Sequence, residues 1–238
     1  MRIHSRTILL ALAVLALGCS KEESGGASSD RLITATVGSG PQIEVKPMTE
    51  LGDDGISVRW STGDKIALWA FNAEGEATLS GSEFALWHYN QEYGDAKFTA
   101  QIEPMAEGSY DYCALSPVPA SVSGTTASYV IASEQNGRFD GRHDVMVATP
   151  VQGAGALQEG DNSEQVNFRF KHKVHVLKID IASNALGEPV EALELTFPRA
   201  VVGTMNIDLR DAGAAPSLTG GAVKLTLRPE QAVDAGST

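Results

Sequence analysis

Short β-rich runs separated by turn residues constrain the fold of this chain more than any other feature. They recur about every 8–15 residues between Ile33 and Leu227, with turn signals such as Thr62-Gly63-Asp64 and Asn136-Gly137 between them. Beyond residue 18, no segment shows the 3.6-residue apolar period of an amphipathic helix. Runs of this kind are typical of antiparallel sandwiches and barrels, so we expect an all-β protein.

The longest predicted strand, Val166–Ile181, shows a change of parity. Phe168, Phe170 and His172 share its apolar side, but from Leu177 onward the apolar residues fall on the other side. Such a change requires a bulge or a break, which we expect near Val176. His172 is interpreted as a hydrogen-bonded core histidine. His172 and His175 would point to opposite faces of a strand, so they are not predicted to bind a metal together.

The loop at residues 183–189 is predicted to separate two units. Residues 32–184 would form an N-terminal β-sandwich, and residues 185–238 a partial C-terminal β domain. Residues 190–238 contain only three candidate strands, which is too few for an independent core. Either the chain is a fragment of a longer protein, or this tail packs onto the first unit.

The N-terminal segment has the three parts of a secretory signal peptide. Arg2 and Arg6 precede an apolar run from Ile8 to Leu17, and Gly18 precedes Cys19. The run is about half of the roughly 20 residues that a membrane-spanning helix needs. Cysteine at this position resembles a bacterial lipobox, which implies that residues 1–18 are a lipoprotein signal peptide and that Cys19 carries the lipid. The alternative is an ordinary secretory signal in which Cys19 has no role.

The residues after Cys19 indicate a domain displayed from a membrane. Ser20-Lys21-Glu22-Glu23 resembles the tag with which lipoproteins of Bacteroidetes reach the cell surface, and residues 19–31 form a Gly/Ser-rich flexible tether. Without Arg2 and Arg6, Lys+Arg falls from 18 to 16 against 30 Asp+Glu, which leaves a net charge near −14. This acidic chain has no basic run that could bind nucleic acid.

The sequence contains no recognisable catalytic motif. There is no Gly-x-Ser-x-Gly, no His-Glu-x-x-His, and no phosphate or calcium loop, so we expect no enzyme, no cofactor and no metal site. Cys113, the only cysteine besides Cys19, lies in a strand-like stretch. With no partner for a disulfide within the domain, Cys113 is predicted to be a buried, inert thiol.

Five segments in order resemble the fimbrillin family of Bacteroidetes, which are subunits and accessory proteins of surface fimbriae. The segments are Val58–Leu68, Phe98–Ile102, Tyr112–Pro117, Gln135–Ala148 and Phe168–Ile179. The resemblance implies an antiparallel β-sandwich of the transthyretin-like pilin type. It also implies a second β domain, which would be truncated in this chain.

Fimbrillins assemble by strand exchange, and the resemblance implies the same for this chain. Its implied partners are other fimbrial subunits, the outer membrane through the lipid, and a host or bacterial surface ligand. Ile33–Val37 would be the strand that a trypsin-like protease removes. Cleavage would follow Lys46 or Arg59; Pro47 disfavours the first, and a predicted strand over Ile56–Trp60 slows the second. Trp60 is interpreted as a core residue.

The alternative function is that of a surface glycan-binding lipoprotein. Carbohydrate-binding surfaces need exposed aromatic rings, and the only candidates are Trp87-His88-Tyr89 and Tyr93. The simpler interpretation of these residues is that they are ordinary aromatic side chains of a strand and its turn.

Overall fold

The computed structural model describes residues 32–40, 51–52, 55–56, 59–138, 141–179, 188–230 and 232. These residues form eighteen β-strands and one 3-10 turn, Gly141–His143, which confirms the predicted all-β class. Among them there is no helix long and apolar enough to cross a bilayer.

The strands fall into two halves of the chain. The first nine are β1 (Ile33–Ser39), β2 (Leu51–Gly52), β3 (Gly55–Ile56), β4 (Lys65–Phe71), β5 (Ala77–Asn90), β6 (Asp95–Ile102), β7 (Ser109–Ser116), β8 (Ser121–Ser123) and β9 (Thr126–Ile131). The others are β10 (Glu134–Gln135), β11 (Met146–Thr149), β12 (Val151–Gly155), β13 (Gly160–Asp161), β14 (Asn167–His172), β15 (Leu193–Thr196), β16 (Val202–Asp208), β17 (Ser217–Ala222) and β18 (Lys224–Leu227).

The main sheet closes on itself. Its strands follow the order β11-β14-β1-β6-β5-β4-β7, and β11 also pairs with β7, so seven strands form a closed ring. Most pairs are antiparallel as predicted, but β1 runs parallel to β13 and β14, and β10 runs parallel to β18. The two-sheet sandwich of transthyretin type stays a prediction.

Two hydrophobic cores lie on opposite sides of this sheet. The first core receives buried side chains from all seven strands of the ring, among them Val37, Phe98 and Phe168. The second core lies between β4, β7 and β11 and the four-stranded sheet β17-β16-β9-β8, and includes Trp69 and Tyr129. Because β4 contributes to both cores, its residues after Lys65 are buried without alternation.

The described part of the C-terminal tail packs onto the preceding residues. All six residues of β9 pair with β16, and β18 pairs with β10. Nζ of Lys173 donates hydrogen bonds to the carbonyl oxygens of Ala212 and Ala214 at 2.7 and 2.8 Å, and the Arg210 guanidinium lies 4.2 Å from the centre of the Phe71 ring. The domain boundary near residue 185 stays a prediction.

The predicted long strand over Val166–Ile181 is wrong from Lys173 to Ile179, and its last two residues lie outside the described ranges. β14 ends at His172, and residues 173–179 belong to no strand. The backbone N–H of Lys173 still donates to the carbonyl oxygen of Val145, one position beyond the pair of His172 with Met146, and its side chain reaches the tail. Val176 and Leu177, which the parity pattern had placed in a strand, are 42% and 59% exposed.

Candidate functional site

β1 occupies an internal position in the closed sheet. All seven of its residues pair with β6, where Ala35 lies opposite Ala100 and Val37 opposite Phe98. On its other side β1 pairs with β13 and then with β14. The predicted strand Ile33–Val37 is therefore confirmed and extends to Ser39. Both edges of this strand are hydrogen-bonded, so it completes the ring.

The inner side of β1 belongs to the first core. Ala35 and Val37 have no exposed surface, and Ile33 packs against the same cluster. Burying these side chains stabilises β1 in its position between β6 and strands β13 and β14, which we call its seat, because apolar area removed from water contributes about 25 cal/mol per Å2.

The outer side of β1 is covered by the segment 158–166. The backbone N–H of Thr34 donates to Glu159 Oε2 at 2.9 Å, and that of Asn162 donates to the carbonyl oxygen of Thr36 at 2.8 Å. Asn162 is itself buried and exchanges two hydrogen bonds with the backbone of Gln158. Thr36 is only 7% exposed, and its hydroxyl donates to Oγ1 of Thr99 at 3.2 Å. The groove that β1 occupies is thus closed on its inner face by the first core and on its outer face at Thr36 and Gly38, and it is open at Thr34.

An ion pair crosses the outer side of β1. Lys97 is the register partner of Gly38 on β6, Asp161 is the partner of Thr36 on β13, and Lys97 Nζ contacts Asp161 Oδ2. The hydrogen bond from Lys97 and a second one from Ser163 lower the pKa of Asp161 to about 2. The two strands that flank β1 are therefore linked over it.

The predicted processing residues lie between β1 and β4 in the sequence. Of these, Lys46 falls outside the described residues, as does Cys19, the predicted site of lipid attachment. Arg59 is exposed and belongs to no strand, so the predicted strand over Ile56–Trp60 is wrong at its C-terminal end. Trp60 is half-buried against the first core as predicted, with its ring 4.9 Å from that of Phe98 and 5.6 Å from that of Phe170. The exposed Arg59 is thus followed at once by an anchored side chain.

The aromatic residues of the alternative hypothesis lie on the β5–β6 hairpin. Trp87 is 67% exposed at an irregularity in the pairing between Leu86 and His88, and Tyr93 is 61% exposed in the turn that follows β5. Tyr89 instead packs against the first core. Two of the aromatic rings therefore face solvent.

The other residues singled out from the sequence occupy structural positions. His172 is hydrogen-bonded to the buried carboxylate of Asp144, as expected for a core histidine, while His175 is exposed beyond β14. Cys113 is fully buried in the second core, and this burial raises its pKa to about 11. In the described ranges, no group of three or more His, Cys, Asp or Glu side chains is arranged to hold a metal ion.

Sequence reasoning did not find Gly38, Lys97, Asp161 or Asn162. Asp161-Asn162-Ser163 has the composition of a turn, which could have indicated a structured loop. Its role in covering β1 depends on pairing with residues more than a hundred positions earlier, and no local pattern encodes that pairing.

The fold is shared with a protein of known structure. The crystal structure of a candidate cell adhesion protein from Bacteroides uniformis aligns with a TM-score of 0.51 at 16% identity, over 85% of this chain and 72% of that one. A second such protein, from Parabacteroides distasonis, aligns with a TM-score of 0.42 at 8% identity, over 79% of this chain and 55% of that one. The first alignment defines this chain as an all-β protein of the same fold.

The sequence itself places the chain in a family. The pattern of the fimbrillin-like family matches residues 52–231 of the 238. The chain belongs to the fimbrillin-like family, and the resemblance inferred from its five segments is confirmed. β1 lies N-terminal to the matched residues. Comparison with curated proteins gives no match.

Proposed function

We propose that this chain is a structural subunit or accessory protein of cell-surface fimbriae, lipid-anchored at Cys19 and assembled by strand exchange. Membership of the fimbrillin-like family supports the fimbrial role. The two-sided seat of β1 is the observation that carries the proposed mechanism.

Removal of β1 would open the ring along its whole length. The backbone groups of β6 that face β1 would lose their partners, as would those of β13 and β14. The sites of Ala35 and Val37 would become an apolar slot open to water. An extended segment from a second subunit satisfies both demands, since its backbone restores the hydrogen bonds and alternate side chains fill the slot. Repeated head-to-tail contacts of this kind produce a filament.

Cleavage after Lys46 or Arg59 would separate β1 covalently from the rest of the fold. Pro47 follows Lys46 directly and disfavours cleavage by trypsin-like proteases. Arg59 is exposed, but its neighbour Trp60 must leave the core before the chain can enter a protease cleft. We propose slow, limited cleavage at Arg59.

The proposed location is the outer surface of the outer membrane, with the tether 19–31 between lipid and domain. Each buried methylene of an acyl chain contributes about 0.8 kcal/mol, so several chains at Cys19 would anchor the protein stably. The proposed partners are other fimbrial subunits and a host or bacterial surface ligand.

The mechanism is tested by mild trypsin digestion of the mature protein, followed by N-terminal sequencing and electron microscopy. We expect a new terminus at Trp60 and filaments, whereas an Arg59→Gln variant stays intact and monomeric. Resistance of the wild-type protein, or cleavage without filaments, would contradict strand exchange and favour an accessory lipoprotein that retains β1.

A second candidate function is glycan binding, which the exposure of Trp87 and Tyr93 favours. Flat aromatic rings that face solvent can stack on the apolar faces of sugars. A glycan array probed with wild-type protein and a Trp87→Ala variant separates the two functions. Binding that the substitution abolishes supports a glycan-binding surface, and absence of binding by the wild-type protein counts against it.

A further inference from the structure

Gly38 lies where Ser163 and Asn167, here called the wall of the groove, come very close to β1. A Cβ at this position would lie 2.9 Å from Cβ of Ser163 and 3.2 Å from its carbonyl oxygen. It would also lie 2.9 Å from Nδ2 of Asn167. Ordinary contacts between carbon atoms are 3.5–4.0 Å, so a methyl group does not fit. The backbone of Gly38 is outside the left-handed region, which means that glycine is needed here for space alone.

The wall opposite Gly38 is held in place by hydrogen bonds. The Asn167 amide ends a side chain and can turn away, but the Ser163 atoms belong to or adjoin the backbone. The N–H of Ser163 donates to Asp161 Oδ1 at 2.9 Å, and that of the preceding Asn162 donates to the carbonyl oxygen of Thr36. Asp161 in turn holds Lys97 across β1. Moving the wall would therefore disturb the contacts that cover the groove.

The inner positions add further size limits. Ala35 is fully buried opposite Ala100, and Val37 is fully buried opposite Phe98. Larger side chains at either position would overpack the first core. Thr34 is exposed, so its side chain is free to vary.

We propose that the groove selects the strand that binds in it at the position of Gly38: any strand that occupies the groove must carry glycine opposite Lys97. The inference rests on the proposed strand exchange and specifies the partner. That partner is an extended segment of another subunit with a variable residue, a small residue, a residue that fits the buried position of Thr36, a β-branched residue and then glycine. A strand lacking the glycine is rejected even when its apolar residues match.

The test uses labelled peptides of residues 32–40 with the full chain as acceptor. An acceptor carrying Gly38→Ala holds its own β1 poorly and so lets a peptide compete for the groove. Three peptides are compared by fluorescence anisotropy: the native sequence, Gly38→Ala, and Thr34→Ala as a control of equal length. We expect the native and Thr34→Ala peptides to bind alike and the Gly38→Ala peptide to bind at least about tenfold more weakly, a difference of about 1.4 kcal/mol.

The outcomes separate the glycine rule from strand exchange itself. Equal binding of the native and Gly38→Ala peptides would contradict the requirement for glycine but would still be compatible with strand exchange. Failure of all three peptides to bind would contradict exchange. If the Gly38→Ala chain does not fold, the peptides are added to the wild-type chain during refolding from urea. Incorporation is then read by native mass spectrometry, with the same two outcomes decisive.

Discussion

Nδ1 of His172 lies 2.7 Å from Oδ1 of Asp144 and joins the end of β14 to the segment that leads into β11. Because β11 pairs with both β14 and β7, this hydrogen bond lies where the ring closes. Asp144 is only 3% exposed. In the described part of the chain, Oδ2 of Asp144 and Nε2 of His172 have no hydrogen-bond partner. The hydrogen bond between Nδ1 and Oδ1 therefore links these two side chains beside the ladders that close the ring.

Asp144→Ala should lower the free energy of unfolding by about 2–3 kcal/mol, because it leaves the N–H of His172 buried without an acceptor. Asp144→Asn keeps an acceptor oxygen and should cost about 1 kcal/mol. Urea denaturation at neutral pH measures both losses, provided that the m values agree. Equal losses for the two variants would show that packing, and not the hydrogen bond, determines the effect.

The environment of His172 shows how much the sequence could predict. The alternation of Phe168, Phe170 and His172 correctly placed the histidine on the apolar side with a hydrogen-bond partner. Asp144 could not be named as that partner, because a strand's parity gives its buried face but not its neighbouring strand. The same limit concealed Gly38 and its wall.

Trp60→Ala should cost about 3 kcal/mol, near the lower end for a buried aromatic residue, because Trp60 is only half-buried. The loss includes its edge-to-face contacts with Phe98 and Phe170. Trp87→Ala is the matched control and should change stability by less than about 0.5 kcal/mol, since Trp87 is 67% exposed. Thermal melting of both variants checks the difference, and similar losses would mean that Trp60 does not anchor the segment after Arg59.

The burial of β4, a strand that the sequence predicted with its observed bounds Lys65–Phe71, shows what local patterns leave out. Strand prediction from alternation assumes that one face meets solvent, but both faces of β4 are buried because β9 and β16 cover its outer side. Conversely, the apolar residues from Val176 to Ile179 predicted a strand, and the structure leaves them outside any strand and largely exposed. In both cases the tertiary neighbours decide the outcome.

Cys113 should resist thiol reagents in the folded protein. Its burial in the second core raises its pKa to about 11, so the reactive thiolate is scarce at pH 8. A Cys19→Ala variant without residues 1–18 has Cys113 as its only thiol, and labelling with Ellman's reagent should be slow until urea unfolds the chain. Fast labelling without denaturant would contradict this burial.

The raised pKa of Cys113 also predicts a dependence of stability on pH. The free energy of unfolding should fall as the pH rises from about 9 toward 11, because the thiol ionises at a lower pH in the unfolded chain than in the folded one.

Lipidation at Cys19 is tested by phase partitioning. The full-length protein expressed in a bacterium should enter the detergent phase of Triton X-114, and Cys19→Ala should move it to the aqueous phase, since substitution removes the acylated thiol. Cys113→Ala is the control and should not change the partitioning. A Cys19→Ala protein that stays with the detergent would place the anchor elsewhere.

The ion pair between Lys97 and Asp161 should stabilise the seat of β1 in a pH-dependent way. Asp161→Asn should cost about 0.5–1 kcal/mol at neutral pH, because both side chains are partly exposed, at 36% and 48%, and solvent screens them. The folded pKa of Asp161 is lowered from 3.8 to about 2, so its contribution is present above about pH 4 and disappears as the pH falls through 2. The difference between wild-type and variant melting temperatures should shrink over that interval.

Glu83→Gln, which breaks the more exposed pair with Lys65, removes a charge without touching β1 and serves as the control. If Asp161→Asn also accelerates hydrogen exchange of the β1 amides while Glu83→Gln does not, the ion pair retains the strand in its groove. Unchanged exchange would confine its role to the surface.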